Sequence, residues 1–300
     1  METLAQVLII GFTVGSFYAL VALGYTMVYG IVRLINFAHG DLVMVASFIG
    51  WVMLEQGWVQ RMPTLLGIVV AAVVSIAGTA LLSLTLLRFL YARLIGRSTL
   101  GFLLVTLSVA FALQEIIKIV FGARERSYPN YALATETITV GGVNFAGMDV
   151  VVIGLAGVLM VTMIWFAQRT MTGAAMRALA IDHDAARLMG VNVTVLIAAA
   201  FAIGAALAAV TGVLSGVYYG RISFDMGFML GLKAFTAAVV GGIGNIGGAV
   251  LGGLVIGVLE AVVQGYLAGA WSDAFIFGAL ILVLYLRPQG LLGERVAVRA

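Results

Sequence analysis

Within one short stretch, Ile35-Asn36-Phe37-Ala38-His39-Gly40-Asp41, stand an amide, an imidazole and a carboxylate. Together these groups could relay a proton, hydrogen-bond a polar solute or fasten a break between helices. They lie between two long apolar runs, and an aspartate at the centre of a bilayer costs roughly 3 kcal/mol to insert. A chain that keeps such groups there has a use for them: a solute path, a packing hydrogen bond or a turn. Gly40 beside Asp41 permits a turn and a fresh helix start with Asp41 as its N-cap. Asn36, Phe37, His39, Gly40 and Asp41 are therefore candidates for a helix break or for the lining of a translocation path, and both readings stand. Glu260 is a further candidate for the path; the bland reading pairs it with an arginine or with an amide from a neighbouring span.

Other chemistry is excluded on spacing. His39 and Asp41 are two apart, and His183 lies between Asp182 and Asp184. Helical metal pairs need i and i+4 spacing, and no cysteine joins either group, so neither a metal site nor a cofactor is expected. Gly242-Ile243-Gly244-Asn245-Ile246-Gly247 spells a dinucleotide fingerprint, but no strand precedes it and the segment is membrane-like. Neither lysine, Lys118 or Lys233, ends a phosphate-binding Gly-x-x-x-x-Gly-Lys run. Work driven by ATP would need a separate subunit. No nucleophile elbow accompanies the serines and histidines, so nothing specific points to an enzyme.

The elements that must position these groups follow from composition. With 63% hydrophobic residues, 10% charged and 38 glycines in 300 residues, the chain is an integral membrane protein. The net charge of +3 comes from basic residues clustered between apolar runs, which are topology signals and not a nucleic-acid surface. The expected fold is all-α: one polytopic transmembrane bundle over residues 1–300 of about 8–9 spans, with discontinuous helices.

Thr3 to Val32 is a first, retained span closed by Arg33. The second span either starts near Leu34 and contains the heptad or starts at Asp41 and is short; Trp51 and Trp58 suit an interfacial belt at its far end. Met62 to Leu87 follows with Pro63 in its first turn, then Arg88, Arg93 and Arg97, then a span from Ser98 to about Phe121 in which Glu115 and Lys118 pair on one face. Residues 122–149, with Tyr128-Pro129-Asn130 and Gly141-Gly142, predict an external loop containing a short hairpin. Val150 to Gln168 returns to a loop at 169–190, and Leu188 to Gly220 is longer than one crossing needs. Ala234 to Leu259 carries Gly244, Gly248 and Gly252 at four-residue intervals, a helix-packing surface, as do Gly253 and Gly257. The closing run spans Ala268 to Leu286, before a tail with Arg295 and Arg299. If every arginine-rich loop faces the cytoplasm, parity forces a break around Gly244 to Gly248, giving nine crossings with the N-terminus outside; eight is the alternative. Tyr29-Gly30, Arg33 and Asn36-Phe37 are echoed weakly by Tyr219-Gly220-Arg221 and Ser223-Phe224, a two-half design of the kind transporters use to place a site between broken helices.

The loop at 169–190 has a helical pattern, with Met176, Leu179, Ala180, His183 and Arg187 on one side. It reads either as a surface helix at the lipid headgroups or as a transverse helix docking into a cytoplasmic partner.

Four stretches, Gly15-Ser16-Phe17-Tyr18-Ala19-Leu20, the Ile35 to Asp41 heptad, Arg177 to Gly190 and Gly241-Gly242-Ile243-Gly244, together resemble the permease subunits of branched-chain amino-acid ABC importers. The resemblance covers nearly the whole chain. Asp41 stands where glutamate is commoner, which keeps the acid and shortens it. Urea and short-amide permeases are similar in both the heptad and the loop. The resemblance implies a multi-pass protein of the bacterial inner membrane, paired with a second permease subunit, two cytoplasmic ATPases and a periplasmic solute-binding protein. It also implies that Arg177, Asp184, Ala185, Ala186, Arg187 and Gly190 couple the chain to the ATPases. A standalone ion-coupled transporter using Glu260, Asp41 and His39, or a membrane-embedded enzyme near His39 and Asp41, are the rival classes.

Overall fold

A computed structural model of the chain describes residues 2–56, 59–129, 137–140, 143–267 and 269–293. Trp58, Asn130, Gly141, Gly142, Ala268, Arg295 and Arg299 lie outside the described residues. Eleven α-helices are found within them. The first four are α1 (Glu2–Val32), α2 (His39–Glu55), α3 (Thr64–Phe89) and α4 (Thr99–Phe121). After β1 (Arg126–Ser127), β2 (Thr137–Val140) and β3 (Val143–Ala146) come α5 (Gly147–Arg169), α6 (Met171–Ile181), α7 (His183–Leu188) and α8 (Val193–Tyr219). Then follow β4 (Arg221–Ile222), α9 (Met226–Gly241), α10 (Ile246–Tyr266) and α11 (Ser272–Leu286).

Among the described residues seven helical segments are long and apolar enough to cross a membrane, the last of them α11 together with the 3₁₀ turn Gly269–Trp271 that leads into it. The remaining two of the nine expected passes, α2 and α9, have only 17 and 16 residues. Both follow a long helix that ends in a left-handed residue: Arg33 (φ 55) after α1 and Gly220 (φ 66) after α8. The echo between the halves is thus an echo of architecture, a full helix turning into a short one. The expected glycine-run break lies at residues 242–245, between α9 and α10.

Contacts fix which helix ends lie together. Arg33 donates to the Ala180 carbonyl, the Tyr91 ring lies tilted against Phe201 at 5.9 Å, Gly244 lies beside Tyr29, and Asn245 donates to the Leu292 carbonyl at 2.9 Å. One end of the bundle therefore gathers Arg33, Arg88, Arg93, Arg97 and the arginines of residues 169–187. At the other end β1 pairs antiparallel with β4, Trp51 Nε1 donates to the Ser127 carbonyl at 3.0 Å, and Val7 of α1 meets Gly265. The hairpin is present, β2 pairing with β3 so that Val140 faces Val143. The 122–149 stretch gives way to helix at Gly147, earlier than expected. Pro63 is likewise the residue before α3 and not in its first turn.

Packing inverts the soluble pattern. Along α3 the buried positions are Gly67, Ala71, Ser75, Thr79, Ser83 and Leu87, a four-residue ridge of mostly small side chains, whereas Val69, Val73 and Leu81 face outward. Lipid is as apolar as leucine, so close backbone approach and interhelical hydrogen bonds drive association instead of hydrophobic burial. Ser75 accordingly donates to the Ala46 carbonyl of α2 at 3.1 Å and Ser83 to the Phe201 carbonyl of α8 at 3.3 Å. Helix α1 is buried around its whole middle, Ala19 to Leu23 having no exposed surface. It is the axle of the bundle, seated against α10, where a Cβ at Gly253 or Gly257 would strike the backbone of Ala19 or Gly15. Gly248 and Gly252 do the same toward α9. Gly244 does not: at φ 97 it forms the turn before α10, with Tyr29 4.0 Å away as its nearest neighbour.

Candidate functional site: two helix breaks and a charged cleft

After Arg33 the chain runs without helix through the first part of the heptad and resumes at His39, whose N–H donates to the Asn36 carbonyl at 3.1 Å. The second span is therefore the short one. Its N-cap is Ala38, with no side-chain cap, and Asp41 falls within the first turn. That corrects the expectation of Asp41 as N-cap. Its carboxylate instead points across to α4, where Gln114 Nε2 donates to Asp41 Oδ1 at 2.8 Å. The position at a helix N-terminus also favours a negative charge.

Asn36, His39 and Asp41 are all buried. His39 is wedged between α1 and α8: a Cβ on Gly24 would stand 2.7 Å from its Cε1 and one on Gly204 3.3 Å away. The Tyr25 ring lies edge-on at 4.7 Å, and the Val21 carbonyl is within hydrogen-bonding reach of the imidazole. Phe37 is half-buried against Phe235 at 6.1 Å. Gly40 is where the two short helices meet: a Cβ there would stand 2.6 Å from Gly231 Cα of α9, and one on Gly227 would stand 2.8 Å from Asp41 Cα. The heptad is thus a packed hub that ties α1, α2, α4, α8 and α9 together. Asn36 Oδ1, His39 Nε2 and Asp41 Oδ2 are buried without a protein hydrogen-bond partner among the described residues.

Glu260 is not part of that hub. On α10 it faces Lys233 of α9, Nζ to Oε1 2.7 Å, and Lys233 also reaches Asp273 Oδ1 of α11 at 2.9 Å. Tyr18 of α1 donates to Glu260 Oε2, and Gln264, one turn along the same helix, donates at 3.2 Å. The partner is a lysine and not an arginine, and the amide comes from its own helix and not from a neighbouring span. Lys233 and Asp273 were not legible as site residues, although a lysine inside an apolar run is a usable signal. Tyr18, Lys233, Glu260 and Gln264 form one wall of a cleft of about 350 Å³, which Asp273 itself does not line. Phe17, Tyr218 and Tyr219 line it too, with Phe17 and Tyr218 edge-on at 5.6 Å. No heptad residue lines it.

The 169–190 segment is helical but not as one helix. Asp182 is extended (φ −149, ψ 116) and separates α6 from α7. Its Oδ1 accepts from the N–H of Asp184 at 2.8 Å and of Ala185 at 3.0 Å, making Asp182 the cap of α7. The Ala185 and Asp184 amides, with His183 nearby, hold the Asp182 carboxyl below the usual carboxylate range. The expected single face is consequently divided. Met176, Leu179 and Ala186 pack inward, and Ile181, Leu188 and Met189 are left bare, Leu188 being 89% exposed. Arg177, Asp184, Ala185, Arg187 and Gly190 are exposed, whereas Ala186 is covered by the chain itself. Gly190 (φ 82) ends the segment.

A helical bundle with two half-length helices crossing at its centre, and polar groups kept inside apolar spans, is a multi-pass membrane transport protein. The chain belongs to the family described as branched-chain amino acid transport system / permease component, which matches residues 7–284. It is 39% identical to the high-affinity branched-chain amino acid transport system permease protein BraD of Pseudomonas aeruginosa, over 96% of this chain and 95% of that protein. To the LivH permease protein of the corresponding Escherichia coli K12 system it is 37% identical over 95% of this chain and 94% of that one. A probable branched-chain amino acid transport permease of Methanocaldococcus jannaschii is 28% identical over 91% of this chain. No solved structure matches the chain.

Proposed function

We propose that the chain is one of two permease subunits of an ATP-driven importer of branched-chain amino acids in a bacterial inner membrane. What carries the reading is 37–39% identity, over nearly the full length, to proteins named for that transport. Arginine enrichment assigns the Arg33, Arg88–Arg97 and 169–190 end to the cytoplasm, which puts the N-terminus and the hairpin outside. Solute is handed over at the hairpin end by a binding protein. Two ATPases grip the opposite end at α6 and α7, where Ile181, Leu188 and Met189 offer apolar contacts beside Arg177, Asp184, Ala185 and Arg187.

In this reading ATP closure of the ATPases displaces α6. Arg33, bonded to the Ala180 carbonyl at the end of α6, passes the displacement to residues 33–38 and hence to the hub at His39 and Asp41. The short helices α2 and α9, meeting at Gly40, then rock against each other. The chain itself supplies no hydrolysis; it converts the partners' cycle into motion.

The test is reconstitution in vesicles with the second permease, both ATPases and the binding protein. Leucine uptake should require ATP and all components. Ion-gradient-driven uptake by this chain alone would replace the reading with a secondary transporter. ATP-driven uptake of urea or acetamide in preference to leucine would correct the substrate.

A further inference from the structure

We propose that the cleft lined by Tyr18, Lys233, Glu260 and Gln264, with Asp273 paired to Lys233 beside it, is a binding site for the primary ammonium group of a small zwitterionic solute. The proposal deepens the permease reading and rests on it for the solute's identity. Its physical basis is a charge imbalance. One cation, Lys233, faces two carboxylates, Glu260 and Asp273, and a third, Asp149, accepts from Thr13 Oγ1 at 2.9 Å and stands behind Tyr218. Glu260 is buried in the wall and Asp273 is 44% exposed beside it, so the two share one positive charge and leave the cleft's edge net negative, a demand for another cation. An ammonium fits that demand and carries donors for several carboxylate oxygens at once.

The other walls suit the rest of such a molecule. Phe17, Tyr218 and Tyr219 present ring faces that can take an aliphatic side chain and attract a cation. Lys233 and the Gln264 amide are the donors available to a carboxylate. The volume of about 350 Å³ lies at the small end of ligand clefts. Access is open: Tyr219 is 48% exposed and Met229 46%, whereas Tyr18 and Glu260 form a buried floor. The cleft also occupies the half of the bundle next to the hairpin, lined by Ile10 and Val14 of α1 and by the last turn of α8. A solute delivered there meets it before reaching the crossing at Gly40.

A purely structural ion pair would be indifferent to the ligand's amine, and that difference is measurable. The permease heterodimer in nanodiscs, without binding protein, is titrated with leucine, 3-methylbutylamine and 4-methylpentanoate. Leucine and the amine should bind comparably and the amine-free acid about tenfold more weakly. Asp273→Asn removes the surplus charge while leaving Lys233 paired with Glu260, and should cost the amine about tenfold in affinity. Glu260→Gln, checked for folding by size exclusion, should abolish the preference. Equal binding of 4-methylpentanoate, no saturable binding, or unchanged affinity in Asp273→Asn would overturn the proposal. Leucine uptake by the complete assembly is measured in parallel. Uptake with no amine preference defeats the cleft alone; amine binding dependent on Asp273 without any branched-chain amino-acid uptake defeats the substrate reading alone.

Discussion

The two helix breaks use the same backbone device and are fastened differently. After α8 the turn is made by Gly220, for which a left-handed φ carries no penalty. That break is pinned at the hairpin end: β4 pairs with β1, the Tyr128 N–H donates to the Gly220 carbonyl at 2.9 Å, and Ser223 Oγ donates to Asp225 Oδ1 at 2.6 Å. After α1 the turn is made by Arg33, the one non-glycine residue with positive φ among the described residues. No strand holds it; its guanidinium is bonded to the last turn of α6. Placing a cation at a helix C-terminus is favourable in itself, but an arginine in this conformation stores strain that glycine would avoid. One break is thus tied to a two-stranded sheet, and the other to α6, followed by α7, where Leu188 and Met189 are left bare. In the proposed coupling, motion would therefore enter through the first break and pivot on the second.

The largest effect is expected where α2 and α9 meet. Gly40→Leu would drive a side chain into the α9 backbone and should destabilise the protein by about 3 kcal/mol, at the upper range for overpacking. Gly30→Leu, whose nearest neighbour is 4.0 Å from a Cβ, should cost little. Thermal unfolding in detergent checks both, and equal losses would mean that the crossing is not tightly packed.

Sharper discrimination comes from the turns themselves. Arg33→Gly removes both the strain and the bond to Ala180, so stability should change by less than about 1 kcal/mol while uptake per ATP hydrolysed falls severalfold. Gly220→Ala should do the reverse, costing about 1 kcal/mol through backbone strain with the coupling ratio intact. The pair is read by unfolding midpoints and by the ratio of leucine uptake to phosphate release; if both variants lower that ratio equally, the two breaks are equivalent.

The smallest effect concerns pH. Because the Asp182 carboxyl is held below its ordinary range, its cap on α7 is fully stabilising above the unfolded carboxylate value and is lost as pH falls through the depressed folded value. Proton exchange at the Asp184 and Ala185 amides, corrected for intrinsic rates, should accelerate in that acid window. The start of α8, capped by Asn192, which accepts from the Val195 N–H at 3.2 Å, should show no such change. Asp182→Asn should remove the pH dependence.

Much of this organisation was legible in the sequence for physical reasons. Uncharged runs bounded by arginine mark spans because charge in hydrocarbon is costly, and keeping the arginine-rich loops on one side of the membrane required a break near Gly244. The heptad was recognisable because three polar groups in an apolar context demand an explanation. What escaped was whatever depends on contacts between distant segments. Asp41 reads locally as a cap, yet Gln114, far along the chain, claims its carboxylate. Lys233 looked like the edge of a span, and only the fold brings it to Glu260 and Asp273. The 169–190 loop carries a single helical period, but Asp182 satisfies the amides ahead of it and divides the segment, exchanging the apolar face that reaches out.

If ATPases grip α6 and α7 from the cytoplasm, as proposed, Leu188 lies on that side and beneath them. The chain contains no cysteine, so Leu188→Cys introduces a unique thiol. A membrane-impermeant maleimide should label it in inside-out vesicles and not in intact cells, and bound ATPases should block that labelling. Labelling in intact cells, or labelling unaffected by the ATPases, would contradict the claim.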